Sequence, residues 1–341
     1  MQGEFKHLAR CCLLVAFGLM VFSRPAAAES ATGLSPLSTE AQKTLSAIRA
    51  DPKPEQLTQN LHYVWSDERR HDYFQKQIQD LGCVFIGVGS NQNYAMAGWS
   101  KPELMIIVDF DQLIVDLHRV YRVAFLNADT PQAFLDLWSK SGRDKLTALV
   151  KKAYTKTNRR RAMYALKFSH RILAKRLRES VELYKNANTP FYLSDQAQYE
   201  YIVQLYRTNR IYAIRGDFTA KKTISDIATK LKDLKKTVRV FYISNCESYF
   251  EFKRQYRKNM LAIPTDDKSV ILRTRAWRPW SRDGKTPVHY NYFTQSYQTF
   301  RAWLRAGIRK VGWIAPYTLF NVKSPHHVLT RLPKSSTKSK M

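Results

Sequence analysis

Cysteine and the residue patterns that hold metals are scarce in this sequence. Only four of its 341 residues are cysteine, and two of these, Cys11 and Cys12, belong to the apolar amino-terminal run. No C-x-x-C pair and no Cys/His cluster with zinc-ligand spacing occurs, so we predict no metal site. Cys83 and Cys246 remain, and two interpretations stay open: one disulfide between them, or two buried thiols.

Acidic residues are also few. The chain has 28 Asp and Glu against 56 Lys and Arg, a formal net charge of +28. Such an excess attracts polyanions, such as nucleic acid, anionic lipid or the phosphate-rich surface of a cell envelope. Residues 151–178 alone contain eleven Lys or Arg and no acidic residue. This stretch is either a solvated helix face or a polyanion-binding surface.

A hydrophobic run of membrane-spanning length is missing as well. The amino terminus has an apolar run from Cys11 to Phe22, preceded by Lys6 and Arg10 and followed by the small residues 26–28. This order is typical of a secretory signal peptide, whereas a spanning helix needs about 20 apolar residues. We therefore predict a signal peptide over 1–28 and a protein that is exported to the periplasm or secreted.

What the sequence does contain is an alternation of strand-like and helix-like patterns. Residues 29–65 are predicted to form a linker with a short helix, and residues 66–325 one α/β domain. Between about 131 and 190 every periodic segment is helical, which predicts a helical insertion. Residues 313–320 are predicted to form the last strand, and 326–341 a basic tail. The predicted fold is Rossmann-like, a mostly parallel sheet with helices on both faces.

Polar residues or glycines follow each predicted parallel strand. Ligands bind outside the carboxyl ends of parallel strands, so this convergence predicts a polar pocket for a small anionic or hydroxyl-rich ligand. The glycine turn taken alone has a second interpretation, a tight connection between strand and helix. In chain order the strand ends carry Gly87-Val88-Gly89 with Ser90-Asn91-Gln92-Asn93, then Asp109 and Asp111, then Gly216-Asp217, then Ser244-Asn245-Cys246-Glu247.

These ordered motifs resemble a known enzyme family. The glycine turn, the acidic end of the second strand, Arg215-Gly216-Asp217 and Tyr242-Ile243-Ser244-Asn245 resemble the cofactor motifs of class I S-adenosylmethionine-dependent methyltransferases. The runs GVGSNQNYAMAGWSKPELMIIVDFD, YISNCESYF and HYNYF are also similar to an uncharacterised bacterial family known from leptospiral proteins. The broad resemblance covers residues 66–125 and 194–320 and implies a methyltransferase-like core.

The resemblance implies S-adenosylmethionine as the cofactor. The glycines would lie against its methionine part, because only glycine lets backbone come so close. Asp109 or Asp111 would accept the ribose hydroxyls, and Asp217 would lie beside the adenine. The cofactor-binding residues predicted in this way are Gly87, Gly89, Asn91, Asn93, Asp109, Asp111 and Asp217.

The resemblance also implies a catalytic set. Asn245 would face the reacting group, and Glu247, Tyr249 or His289 could take a proton. The predicted catalytic residues are therefore Asn245, Glu247 and His289. A separate hypothesis makes Cys246 a nucleophilic thiol at a helix start, with His289 as its base. Two functions remain: a transferase acting in the envelope, or a non-catalytic module that binds polyanions or the envelope through the basic insertion.

Overall fold

A seven-stranded sheet lies at the centre of the computed structural model, which describes residues 33–277, 289–321 and 323–333. Its strands follow the order β3-β2-β1-β4-β5-β6-β7 and have the bounds β1 Val84–Gly87, β2 Leu104–Asp109, β3 Ile211–Arg215, β4 Val238–Ser244, β5 Val270–Trp277, β6 His289–Ser296 and β7 His326–Leu329. Strands β1 to β5 run parallel, β6 is antiparallel to β5, and β7 is parallel to β6. The predicted Rossmann-like, mostly parallel sheet is confirmed. The predicted signal peptide over 1–28 and residues 334–341 of the predicted tail lie outside the described residues.

Strand β1 occupies the middle of the sheet and is buried on both faces. Gly87 at its end pairs with Ile107 of β2 on one side and with Tyr242 of β4 on the other. Strands β2 and β3 extend the sheet on one side of β1, and strands β4 and β5 extend it on the other. The carboxyl ends of β1, β2 and β4 therefore lie at the topological switch point of the sheet. The three central strand ends named by the sequence therefore lie side by side at one edge of the sheet.

Helices cover both faces of the sheet. Asp111 begins α4 and Asp195 begins α8, each by accepting a backbone N–H with its carboxylate. The helices α5, α6 and α7 form the all-helical segment expected at about 131–190, and α7 packs against α4. The helices are α1 Thr39–Ser46, α2 Gln75–Ile78, α3 Gln92–Ser100, α4 Gln112–Leu126, α5 Pro131–Leu137, α6 Arg143–Ala153, α7 Lys156–Asn186, α8 Gln196–Arg207, α9 Thr223–Asp233, α10 Arg254–Ala262 and α11 Tyr297–Arg305.

Residues 51–74, which we call the strap, run over the carboxyl ends of the parallel strands. At one end the Asp51 carboxylate accepts hydrogen bonds from the backbone N–H groups of Asp217 and Lys222, beyond β3. At the other end the 3₁₀ turn His71–Phe74 packs against β6. Much of the strap belongs to the stretch that the sequence presents as a linker. In the structure it forms one wall of the strand-end region.

The prediction of a last strand over residues 313–320 is wrong. Two 3₁₀ turns lie there, Val311–Trp313 and Tyr317–Leu319, and the last strand is β7. Pro316 between the turns lacks the N–H that a strand would use, and its carbonyl instead accepts a turn bond from Leu319. Apolar character alone therefore misled the assignment.

Two further observations concern the whole described chain. Cys83 and Cys246 are free thiols and form no disulfide. Among residues 33–277, 289–321 and 323–333, no helix combines the length and the apolar character needed to cross a membrane.

Candidate functional site

The space beside Gly87 is occupied by a side chain of the protein itself. Asn93, in the first turn of α3, is buried and folds back over the glycine turn. Its Nδ2 donates to the carbonyl oxygens of Val88 at 3.0 Å and Ser90 at 2.9 Å. Its Oδ1 lies 2.0 Å from the position that a Cβ atom would take at Gly87. Glycine at 87 is therefore required by Asn93.

Gly89 has the same relationship with Gln92. The Oε1 of Gln92 accepts the backbone N–H of Ser90 at 3.0 Å, and its Nε2 donates to the Val88 carbonyl at 3.2 Å. The Nε2 atom lies 2.3 Å from where a Cβ of Gly89 would stand, and Gly89 has a φ of +89°. Both glycines thus make room for side chains of α3, and those side chains satisfy the backbone of the turn.

A buried chain of hydrogen bonds supports the turn from behind. His118 on α4 donates from Nε2 to the Gly89 carbonyl at 2.9 Å. Its Nδ1 then has no proton and accepts from the Tyr94 hydroxyl at 2.6 Å, and the Tyr94 oxygen in turn accepts from Tyr206 at 2.6 Å. Burial lowers the pKa of His118 to about 4, so its ring is neutral at physiological pH. The turn is held rigidly by the core.

The two aspartates after β2 have protein partners. Asp109 is buried, and its Oδ1 accepts the backbone N–H of Asp111 at 2.8 Å. Burial raises the pKa of Asp109 to about 7, and the charge of Asp111 adds to the rise. The Asp111 carboxylate caps α4 by accepting from Leu113 at 2.9 Å, and it pairs with His62 Nδ1 of the strap at 2.7 Å.

The predicted adenine-side residue, Asp217, is exposed. Its Oδ1 accepts both the backbone N–H and the hydroxyl of Thr219, each at 2.7 Å. This is a local turn that an aspartate commonly forms with the residue two positions on. Asp217 therefore closes the loop after β3, at the edge strand of the sheet.

These residues do not fit S-adenosylmethionine. The side chains of Gln92 and Asn93 fill the space beside both glycines, where the methionine part of the cofactor would lie. Between the strap, α3 and α7 lies a cavity of about 40 Å³, lined among others by Trp65, Asn91 and Gln92. Since one buried water needs about 10–15 Å³ on this measure, the cavity has room for a few waters and not for a nucleoside.

A different constellation lies at the end of β4, around Glu68 of the strap. The buried Glu68 carboxylate accepts the hydroxyl of Ser244 at 2.5 Å and, on its other oxygen, the hydroxyl of Tyr242. His71 Nε2 lies 3.0 Å from the Tyr242 oxygen and 3.5 Å from the carboxylate. Burial alone would raise the pKa of Glu68, but hydrogen bonds from His71 and Ser244 outweigh it and the net pKa is lowered. Glu68 is therefore a buried carboxylate.

The backbone at Ser244 is strained. Ser244 has a φ of +56°, in the left-handed region that favours glycine. The pairing of β4 with β5 shifts register between Tyr242 and Ser244. Such a conformation costs about 1–3 kcal/mol and persists only where its surroundings enforce it. Here the half-buried Ser244 turns its hydroxyl onto Glu68.

Three tyrosines lie near Glu68 or its neighbour Asp67. Tyr249 is 58% exposed and Tyr63 is 39% exposed, and Tyr290 is half-buried. Burial raises the pKa of Tyr290, and the negative charges of Glu68 and Asp67 raise it further. We call the set Tyr63, Asp67, Glu68, Ser244, Tyr249 and Tyr290 the strand-end site.

Cys246 lies next to the strand-end site as a thiol. Burial raises its pKa well above the ordinary value, and the charges of Asp109, Glu68 and Glu247 raise it further. Because the thiolate is the nucleophilic form, these surroundings keep Cys246 unreactive.

The predicted catalytic residues lie apart from one another. Asn245 is half-buried directly after β4. Glu247 is buried in an ion pair with Arg273 at 2.6 Å and accepts the Tyr256 hydroxyl at 2.6 Å. His289 is exposed at the start of β6, where it pairs with Trp277. The structure brings none of the three within hydrogen-bonding distance of another.

Sequence reasoning missed Glu68, His71 and Tyr242. Glu68 and His71 belong to a run of charged residues typical of a surface, and their burial depends on contacts with β4, more than 170 positions away. One signal was present: Tyr242 places a hydroxyl between the apolar residues Phe241 and Ile243, and a buried hydroxyl needs a partner.

The comparisons with known proteins give a family. The family model described as Domain of unknown function (DUF7790) matches residues 63–315. This span begins in the strap and ends beyond α11, so it contains every residue of the strand-end site. No curated protein matches the chain.

Proposed function

Since the chain belongs to the DUF7790 family, whose matched span contains the whole strand-end site, we propose that this site binds a small, hydroxyl-rich ligand. The methyltransferase-like core serves as the scaffold. We also propose that the protein is exported, because residues 1–28 have the order of a signal peptide. The ligand would then be a molecule found outside the cytoplasm.

One observation carries the proposal: the strained Ser244 holds its hydroxyl on the buried Glu68 carboxylate. Strain at a strand end lowers the stability of the fold, and such residues cluster at binding and catalytic sites. Burying a carboxylate also costs free energy, and at Glu68 hydrogen bonds from residues of the strap and of β4 offset that cost. Both features occur at the carboxyl end of a parallel strand, where ligands of this fold class bind.

The chemistry of the site favours a neutral polyol over an anion. Glu68 and Asp67 would repel an anionic ligand, whereas carboxylate oxygens accept hydrogen bonds from hydroxyl groups. The exposed rings of Tyr63 and Tyr249 offer apolar faces next to polar tips, the combination by which ligand pockets position partly polar molecules. Of the two ligand classes that the sequence suggests, the hydroxyl-rich class is therefore the one we propose.

Titration calorimetry with a panel of neutral mono- and disaccharides and polyols tests this function. We expect saturable binding for at least one member, weakened about tenfold by Tyr249→Ala, which removes an exposed ring without touching the core. Glu68→Gln keeps the shape of the side chain and should weaken binding by a similar factor or more. Tyr317→Ala, at another exposed tyrosine, is the matched control and should change nothing.

S-adenosylmethionine and its demethylated product belong in the same experiment. We expect no saturable heat for either at millimolar concentration, because Asn93 and Gln92 fill the turn. Binding of S-adenosylmethionine that Asp109→Ala abolishes would overturn the proposal in favour of a methyltransferase. A full panel without any saturable ligand would also overturn it.

A further inference from the structure

One face of the antiparallel pair β5 and β6 carries four buried polar side chains. Arg273 and Arg275 are two positions apart on β5, so their side chains share that face. Asn291 pairs with Arg275 across the two strands, and Gln295 pairs with Ile271. Paired residues of neighbouring strands point to the same face, so both amides lie on the face of the arginines. All four polar side chains are more than nine-tenths buried.

Each of these four side chains has a buried N–H donor without an acceptor. The unpaired atoms are Arg273 Nη2, Arg275 Nε, Asn291 Nδ2 and Gln295 Nε2. The two amide orientations are fixed by their oxygens, since Asn291 Oδ1 accepts the backbone N–H of Asn321 at 3.0 Å. Gln295 Oε1 likewise accepts from Arg273 Nη1 at 2.7 Å. Native proteins leave few buried donors unpaired, so four on one face require an explanation.

The charged groups of this face leave one positive charge over. Arg273 pairs with the buried Glu247 at 2.6 Å. Arg275 donates from Nη1 to the Ala315 carbonyl, and it forms no ion pair with any carboxylate in residues 33–277, 289–321 and 323–333. Burial accordingly lowers the pKa of Arg275. A buried cation without a counter-charge is costly, so this position favours a negatively charged partner.

We propose that one small inorganic anion, of the size of chloride, binds between Arg275 Nε and Asn291 Nδ2. The two residues lie directly opposite each other with Cβ atoms about 5 Å apart, so a single ion can contact both donors. The ion would supply the missing negative charge. The unpaired N–H groups of Arg273 and Gln295 add to the positive potential of the face.

A water molecule fits these groups less well than an anion does. All four unpaired side-chain atoms of this face are donors. A water that accepted from two of them would bring two hydrogens of its own, which would compete for oxygens that already accept hydrogen bonds. An anion only accepts, and it also neutralises Arg275.

The anion would fasten the segment after α11 to the sheet. Asn291 Oδ1 holds Asn321, and Arg275 Nη1 holds Ala315, so the two residues that contact the ion also connect this segment to β5 and β6. The stability of the fold should therefore depend on chloride. This inference does not rest on the ligand proposed for the strand-end site.

Crystals of the full chain grown with sodium bromide in place of sodium chloride test the site directly. We expect a bromide peak in the anomalous difference map, within hydrogen-bonding distance of Arg275 Nε and Asn291 Nδ2. Ordered water or empty density at that place would overturn the proposal.

Urea denaturation tests the same site in solution. At constant ionic strength, replacing sodium methanesulfonate by sodium chloride should raise the folding equilibrium constant about tenfold between about 1 and 100 mM chloride, as for a site with a dissociation constant of about 10 mM. Methanesulfonate is the reference because it is too large to lie between two buried side chains on neighbouring strands. Equal stability in the two salts would contradict the proposal.

The variant Asn291→Asp gives Arg275 a counter-charge within the protein. One carboxylate oxygen can still accept from Asn321, and the other replaces the unpaired Nδ2. We expect this variant to lose the chloride dependence and to be at least as stable as wild type in the low-chloride buffer. Asn186→Asp, at the exposed end of α7, makes the same change of charge and should keep the tenfold dependence. A chloride effect of equal size in both variants would overturn the proposal.

Discussion

The Oδ1 atom of Asn93 lies 2.0 Å from the position that Cβ would take at Gly87, so the glycine turn is built around a side chain of its own helix. Glycines at such a turn have two physical uses. They let a ligand approach the backbone, or they let the protein pack against itself. Packing of the protein against itself accounts for the glycines of this turn. Both uses require the same glycines, so they leave the same pattern in the sequence.

Gly87→Ala should therefore destabilise the fold severely. The added methyl group would meet Asn93 and also lie 2.5 Å from the Phe85 ring, both buried. Overpacking of a close-packed core costs about 1–3 kcal/mol, and this position has contacts on two sides, so we expect a loss of about 3 kcal/mol or more in the free energy of unfolding. Urea denaturation measures it.

Two comparisons make this result specific. Gly312→Ala adds a methyl group where the nearest heavy atom is 4.0 Å away, and it should leave stability nearly unchanged. The double variant Gly87→Ala, Asn93→Ala removes the clash between the new methyl group and Asn93. Its loss in the free energy of unfolding should therefore be smaller than the sum of the two single-variant losses, by about 1–3 kcal/mol. Strict additivity would show that Asn93 does not occupy the Gly87 space.

Asp109 should make the stability of the protein depend on pH. Its folded-state pKa is about 7 because of burial, whereas an unfolded aspartate has a pKa of about 4. The stabilisation from its protonated form is fully present below about pH 4 and is lost as pH rises through about 7, a change of about 4 kcal/mol at most. Relative to wild type, Asp109→Asn should therefore become more stable as pH rises from about 4 to 8. Chemical denaturation across this range measures the difference, and a constant difference would contradict the prediction.

The fold was predictable from sequence because its central strands are buried on both faces. Val84–Ile86, Leu104–Val108 and Val240–Ile243 are continuous runs of apolar or aromatic residues, and each of them forms most of a parallel strand. The wrong strand at residues 313–320 has apolar residues too, but Pro316 and the turn bonds around it decide its structure. A helical insertion was predictable from periodicity alone.

The candidate site was less predictable, because its key residues come from the strap. Residues 51–65 have no clear period, and Glu68 is buried through contacts with β4, among them Ser244, 176 positions further along the chain. The sequence also cannot distinguish Asn93 as a ligand contact from Asn93 as a packing group, since both require a polar residue after a glycine turn. Tertiary contacts decide both cases.

Ser244 offers a direct measurement of the strain in the strand-end site. Both Ser244→Ala and Ser244→Gly remove the hydroxyl that Glu68 accepts at 2.5 Å, so both should be less stable than wild type by about 1.5–3 kcal/mol. They differ in backbone preference, because alanine disfavours the φ of +56° found here and glycine adopts it readily. Ser244→Gly should therefore be the more stable of the two by about 1 kcal/mol.

Ser180 within α7 provides the matched pair for this comparison. Its hydroxyl also makes one hydrogen bond, to the Arg176 carbonyl at 2.9 Å, but its backbone is helical. In a helix glycine is less favourable than alanine by about 1 kcal/mol, so Ser180→Gly should be less stable than Ser180→Ala. In urea denaturation the glycine variant should therefore be the more stable one at position 244, and the alanine variant the more stable one at position 180. If Ser244→Ala proved more stable than Ser244→Gly, the left-handed backbone at the end of β4 would not be a strained feature of the site.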